Sequence, residues 1–290
     1  MADRKGVFYA ALAVVLWATL GVAFKLSLAE LSSYSVTVWV AGLTTLLFLV
    51  AALLTDKAKI LAKHFAEKPW FFVGTGIIGL CIQQYLYIKG YEMLPASVTV
   101  IIFYLYPLMM VALSALMYHE KLPATGLLCL ALGFAGVIVV VSDGALSGIS
   151  LWGVIITLIA SLAWALFSVL IKHHKFDPIV GMFYFNLSGF MALLIISPLV
   201  GIQIPTTGAF ATLFYIALFP TAIAFVAWDL ALKSMPTRIS ANMALLTPFL
   251  SLLFIALVLH EKITPRQAAG ACIIILSVYL TLRSANRRRR

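Results

Sequence analysis

Residues 96–122 read ASVTVIIFYLYPLMMVALSALMYHEKL, and residues 237–263 read TRISANMALLTPFLSLLFIALVLHEKI. Each stretch follows a proline (Pro95, Pro236), runs through apolar sequence with a proline in its middle (Pro107, Pro248), and closes on His-Glu-Lys. A bilayer core of about 30 Å takes about 20 apolar helical residues to cross. Each stretch therefore reads as a transmembrane helix with a kink. Shifted by 141 residues, Pro95, Leu105, Pro107, Ala115, Leu116, His119, Glu120 and Lys121 fall on Pro236, Leu246, Pro248, Ala256, Leu257, His260, Glu261 and Lys262. The chain carries this element twice.

Working outward, a shift of 147 pairs Gly6, Val7, Ala13, Trp17, Ala18, Val22 and Lys25 with Gly153, Val154, Ala160, Trp164, Ala165, Val169 and Lys172. It also pairs Gly42, Leu46 and Leu47 with Gly189, Leu193 and Leu194. Composition agrees with a membrane chain. Hydrophobic residues make up 63% of the 290 and charged residues 10%, against about 45–50% and about 25% in soluble proteins, and the mean hydropathy is +1.09. A soluble fold could not cover so much apolar surface. Ten spans are predicted: Gly6–Leu28, Tyr34–Leu54, Trp70–Tyr91, Ala96–Tyr118, Leu122–Val141, Leu151–Ile171, Ile179–Leu199, Thr207–Leu232, Thr237–Leu259 and Thr264–Leu282. The longest connection, around Thr55–Pro69, lies between spans 2 and 3. The first run lacks a small-residue cleavage site and reads as a span, not a signal peptide.

Lys and Arg set the orientation. With the N-terminus in the cytoplasm, sixteen of them fall in inside segments, including Lys57, Lys59, Lys63, Lys68 and Arg287–Arg290, and three outside: Lys89, Lys262 and Arg266. Both termini are thus expected in the cytoplasm. The net charge of +10 follows from this bias and from the basic tail beside the last span, and nucleic acid is not an expected partner. The two repeats, 1–147 and 148–290, have five spans each. An odd number forces the second copy in upside down, the arrangement of many secondary transporters, whose substrate site lies near the midplane between the halves.

Ten spans in two five-helix repeats, Trp17-Ala18 and Trp164-Ala165 at mid-span, Pro107 and Pro248, and Glu120 and Glu261 just past their spans resemble the EamA-type carriers of the drug/metabolite transporter superfamily. The resemblance covers essentially the whole chain and is nearest in overall appearance to the YddG-type amino-acid exporters of bacterial inner membranes. It implies a basket-like all-α membrane fold, a central cavity walled by spans 1–4 and 6–9, peripheral spans 5 and 10, and export as the direction.

The site candidates are polar or aromatic residues at membrane depth. Trp17 and Trp164 sit too deep for the interfacial aromatic belt, where Trp70 and Trp152 belong. Gln83, Gln84, Tyr87, Tyr104, Asn186 and Asn242 would each cost free energy if left unpaired in lipid, so they should face the bundle or a wet cavity. With Trp228 they would hold a substrate by amide hydrogen bonds and cation–π contact. Pro107 and Pro248 should bend spans 4 and 9 as gating kinks, and the carbonyls they free need a partner from a neighbouring helix or water. Asp229 is the carboxylate well inside a span and the candidate proton carrier. Lys25, Lys89 and Lys172, near span ends, should snorkel.

Other motifs carry no chemistry. His119-Glu120 and His260-Glu261 lack the second histidine of a zinc helix and read as caps. Gly74–Gly79 matches a dinucleotide fingerprint in form, but inside an apolar span it reads as helix packing. Cys81, Cys129 and Cys272 lie in apolar runs as packing residues. No metal, cofactor or catalytic residue is expected. Gly126, Gly133, Gly136 and Gly270 suit spans 5 and 10 to tight packing, in a monomer or a weak homodimer through those spans.

The expected function is secondary transport of small polar metabolites, above all amino acids, aromatic and apolar ones included, by alternating access. Sugar-phosphate or nucleotide-sugar carriage would call for Lys or Arg at the midplane, and toxic-cation export of the small multidrug kind for a glutamate in span 1. Neither is present in the sequence. A channel would need a re-entrant filter, and an intramembrane enzyme a nucleophile–base set or metal cluster.

Overall fold

The structure, a computed structural model, describes residues 4–117, 124–141, 149–172, 176–234, 243–244 and 246–287. Their regular elements are all helical: α1 (Arg4–Leu28), α2 (Ser33–Leu54), α3 (Ala58–Glu67), α4 (Pro69–Met93), α5 (Ala96–Met117), α6 (Ala124–Val141), α7 (Leu151–Lys172), α8 (Pro178–Val200), α9 (Thr207–Ala231), α10 (Leu246–Val258) and α11 (Pro265–Arg287). Among the described residues, seven helices are long and apolar enough to cross a membrane: α1, α2, α4, α5, α7, α8 and α9. Between 44% and 56% of each apolar window is buried inside the protein. The other half is apolar surface that only lipid can cover, as Leu54 and Leu199 show, each more than 80% exposed. The chain is a membrane-embedded helical protein.

Helix starts are written in the sequence. Ser32 caps α2 by accepting from the Ser35 N–H, Asp177 caps α8 by accepting from Ile179 and Val180, with Pro178 in the first turn, and Thr206 caps α9 through Ala209. At α11, Thr264 Oγ1 accepts from the Gln267 N–H while Gln267 Oε1 accepts from the Thr264 N–H, a reciprocal capping pair. α8 ends at Gly201, whose φ of 81° suits a residue without Cβ.

One connection holds more than expected. The Thr55–Pro69 segment contains α3, a ten-residue helix with Leu61 and Phe65 turned into the apolar core beside Phe72 and Tyr184. A search for 20-residue apolar runs passes over it because its apolar residues lie one turn apart among lysines.

Polar contacts sort the connections into two ends. At one, Lys25 Nζ donates to the Leu94 carbonyl (2.7 Å), Trp39 Nε1 to the Gln203 carbonyl (3.0 Å), and the Gln203 N–H to Ser35 Oγ (2.9 Å). At the other, Lys57 pairs with Asp177 at 2.8 Å. Lys25 is thus held by a backbone carbonyl as well as reaching toward its helix end.

Small residues set the closest approaches. A methyl at Gly76 would lie 2.5 Å from the Phe185 carbonyl of α8, and one at Gly270 2.8 Å from the Gly136 carbonyl of α6. The packing expected of spans 5 and 10 is present between α6 and α11.

Four spans are irregular near mid-length. α1 breaks at Thr19, whose hydroxyl bonds the Leu16 carbonyl (2.7 Å). α5 breaks at Tyr104–Leu105, just before Pro107. α4 and α9 contain π-helical segments, Ile77–Ile82 and Ala217–Ile223, the second around Pro220. The shift of 141 residues that superposes Pro107 on Pro248 carries residues 76–82 onto 217–223. Such π segments are rare and gather at functional places.

Candidate functional site

Two aromatic groups meet at the level of these irregularities. The first begins at Trp228 on α9, whose ring lies 5.2 Å from Trp17 on α1. Trp17 in turn meets Phe225 at 6.1 Å, and Phe225 meets Trp164 of α7 at 5.4 Å. Trp164 stacks on Phe167 (5.4 Å, 23°). The two tryptophans paired by the 147-residue shift therefore touch one phenylalanine. Trp17 is 9% exposed among Ala13, Ala224 and Ala227, where small side chains leave room for the indole. It faces protein, not lipid.

The second group centres on Tyr87 of α4, stacked on Phe103 at 3.9 Å and sharing a 3.0 Å hydroxyl–hydroxyl hydrogen bond with Tyr91. Phe103 contacts Tyr104 and Tyr106, and Phe24 of α1 closes over Tyr87 and Tyr91. Trp164 packs against this core and against the Phe167 core, linking the two groups.

The α5 break explains why Phe103 and Tyr104 sit where they do. Pro107 has no N–H for the carbonyl four residues earlier, that of Phe103. Ser161 Oγ of α7 supplies the missing donor at 2.9 Å. The freed carbonyl is thus satisfied by a neighbouring helix, one of the two routes the sequence required.

Gln83 is buried on α4 one turn before Tyr87, with Gln84 beside it. Asn186 is fully buried on α8. Its Nδ2 donates to the Met182 carbonyl (2.8 Å), while its Oδ1 has no hydrogen-bond partner among the described residues. Thr247 Oγ1, before Pro248, is the other such buried side-chain atom and lies beside the Tyr104 hydroxyl without closing a well-formed bond. No ring contact or hydrogen bond ties Gln83 or Asn186 to the aromatic groups among the described residues. Asp229 is half-buried, one residue past Trp228. Asn242 lies outside the described residues, as do His119, Glu120 and Lys121. Among the described residues, no three His, Cys, Asp or Glu side chains gather to hold a metal ion.

At the end marked by Lys57, Asp177 carries a displaced pKa. Burial pushes its carboxyl upward, but the Lys57 hydrogen bond and charge and the Val180 and Ile179 N–H groups outweigh burial and hold it below the usual aspartate value.

Sequence comparison places the chain in a family. The profile of the EamA-like transporter family matches residues 4–142 and again 151–283. The chain belongs to the EamA-like transporter family. The Bacillus subtilis uncharacterized transporter YvbV is 27% identical over 278 residues, covering 92% of this chain and 88% of that protein. A Salmonella typhimurium protein named as a probable amino-acid metabolite efflux pump is 26% identical over 304 residues, covering 97% of this chain and 95% of its own. One solved structure superposes over the full length of both chains with a TM-score of 0.72 at 19% identity, which shows a shared fold. This EamA-like transporter thus works by moving a solute, not by catalysing a reaction.

Sequence reasoning missed several residues of this EamA-like transporter's core. Phe225, Phe167, Phe103 and Tyr106 are ordinary apolar letters in apolar spans, and nothing marks them. Ser161 was findable in principle: a carbonyl freed by Pro107 calls for a hydroxyl at the same depth. Thr247 was findable as a polar residue beside Pro248.

Proposed function

We propose that the protein is a secondary carrier exporting amino acids and related small zwitterions across the bacterial inner membrane by alternating access. In this reading the ten spans form two inverted repeats, 1–147 and 148–290, with both termini in the cytoplasm. Support for the repeat comes from the double family match and from π segments in repeat-equivalent register. The observation that carries the reading is the convergence of Trp17 and Trp164 on Phe225 at mid-span, from helices that the repeat pairs. Alternating access needs a site reached from both halves, and these rings supply its wall.

The chemistry favours a zwitterion. Aromatic faces attract an ammonium by about 0.5–2 kcal/mol, Asn186 Oδ1 offers it an acceptor, and the Thr247 hydroxyl, which can donate, offers a partner to a carboxylate. Leaving such atoms unpaired costs about 1–3 kcal/mol each, which a ligand's polar groups would recover. The sequence places no Lys or Arg at the midplane of the spans to offset a phosphate. The breaks at Thr19, Tyr104 and the two π segments give α1, α5, α4 and α9 places to flex; Pro107 adjoins the α5 break, and Pro248 would be its repeat-related counterpart in span 9. Asp229, beside Trp228, is the group through which proton coupling would run.

The test is ligand-dependent thermal stabilisation of purified protein. Aromatic and aliphatic amino acids should raise the midpoint in a saturable way, and Trp164→Ala should weaken that response. Stabilisation by nucleotide sugars alone would reject the reading.

A further inference from the structure

The second His-Glu-Lys motif holds a contact that the substrate site does not use. Glu261 lies in the connection between α10 and α11, yet its carboxylate accepts the Ala96 N–H (3.0 Å), the Ser97 N–H (3.1 Å) and the Ser97 hydroxyl, all in the first turn of α5. These are the free donors at the positive end of a helix, where a carboxylate binds best. The residue at the local cap position is Pro95, which provides no side-chain cap. α5 therefore depends for its cap on a residue 165 positions away.

Around this contact four spans come together. Lys25 of α1 donates to the Leu94 carbonyl at the end of α4, and its ammonium lies within electrostatic reach of Glu261. His260, immediately before Glu261, has a φ of 53°, a left-handed conformation that a non-glycine residue adopts only when its surroundings hold it there. Below the clasp, Ser97, Ile101 and Tyr104 follow one another at helical spacing on α5, and Ile101 is 1% exposed. Ser97, which Glu261 holds, thus lies two turns before Tyr104 on the same helix.

We propose that Glu261 is a gate-positioning residue, its carboxylate clamping α5 to the α10–α11 connection and holding the site shut from that end of the bundle. The inference rests on the carrier reading and adds to it the residue that sets the gate. A cap supplied by the local sequence would be present in every conformation. A cap supplied from the opposite half exists only while the halves are together, so its free energy counts toward the closed state alone. Removing it should move the equilibrium, not merely weaken the helix.

The experiment uses one reporter thiol, Ile101→Cys, in a full-length background with Cys81→Ala, Cys129→Ala and Cys272→Ala. A membrane-impermeant maleimide is applied to either face of sealed vesicles. With Glu261 in place, labelling from the clasp face should be slow. Glu261→Ala should speed it by about tenfold, the population shift expected for losing one charge-assisted cap, with no gain from the opposite face. Glu261→Gln, which keeps one acceptor oxygen, should fall between. Ser97→Ala removes a single bond and serves if Glu261→Ala fails to fold; it should give a smaller rise in the same direction. An unchanged rate in variants whose melting temperature has dropped would overturn the proposal and leave Glu261 a passive cap. Labelling needs no substrate. A labelling shift in a protein that moves no solute would therefore count against the carrier reading and not against the gate.

Discussion

Ser161 Oγ donates a 2.9 Å hydrogen bond to the Phe103 carbonyl, the acceptor that Pro107 deprives of its helical partner. Without it, a carbonyl would lie unpaired among buried tyrosines. Ser161→Ala should cost about 1–3 kcal/mol, the penalty for an unsatisfied buried polar group, and lower the melting temperature in detergent. Pro107→Ala should relieve that dependence, so Ser161→Ala should cost much less in the Pro107→Ala background. Equal losses in both backgrounds would separate the serine from the proline.

Phe225 is the ring on which Trp17 and Trp164 converge. Phe225→Ala should open the shared wall and reduce transport well beyond any effect on expression. Phe214, on the same helix but outside its π segment and 40% exposed, is the control, and Phe214→Ala should leave transport near wild type. Initial flux measured at several substrate concentrations checks this, with the loss at Phe225 expected in apparent affinity first. Equal sensitivity at the two positions would mean that the convergence is packing alone.

These residues mark the limit of what the sequence discloses. Polarity against an apolar background made Trp17, Trp164, Asn186 and the two mid-span prolines legible, because a polar or rigid group in lipid needs a reason. Seven of the ten expected spans correspond to described helices long and apolar enough to cross a membrane, legible from length alone, whereas α3 was not, since its ten residues are too few and Leu61 and Phe65 stand among lysines. Phe225 and Phe103 could not be found, because a phenylalanine facing protein and one facing lipid are the same letter. Glu261 was legible as a cap, but its target was not: the spacing of a motif says nothing about a partner 165 residues away.

Asp177 links α3 to the start of α8 through Lys57 at 2.8 Å. Its folded pKa lies below the ordinary aspartate value, burial opposing and Lys57 with two N–H groups prevailing. A depressed carboxylate stabilises the fold above the unfolded pKa, and that stabilisation fades as pH falls through the folded value. Asn is nearly as good a helix cap as Asp, so Asp177→Asn isolates the charge. The gap in melting temperature between wild type and Asp177→Asn should be open near neutral pH and close below about pH 4. A gap independent of pH would show that the ion pair contributes nothing.

Asp229 follows Trp228 on α9 and is the carboxylate that the sequence marks as the candidate proton carrier. If protons drive export, Asp229→Asn should abolish the pH dependence of net transport and leave substrate exchange intact. Unchanged pH dependence in that variant would remove the residue from coupling.

The most direct test of the account is counterflow in proteoliposomes against a panel of aromatic, aliphatic and charged amino acids, a nucleotide sugar and a quaternary ammonium cation. The account predicts saturable exchange of the aromatic and aliphatic amino acids, reduced by Trp164→Ala and by Asn186→Ala, with little movement of the nucleotide sugar. Saturable flux of the nucleotide sugar or the cation, with no amino acid moved, would contradict it.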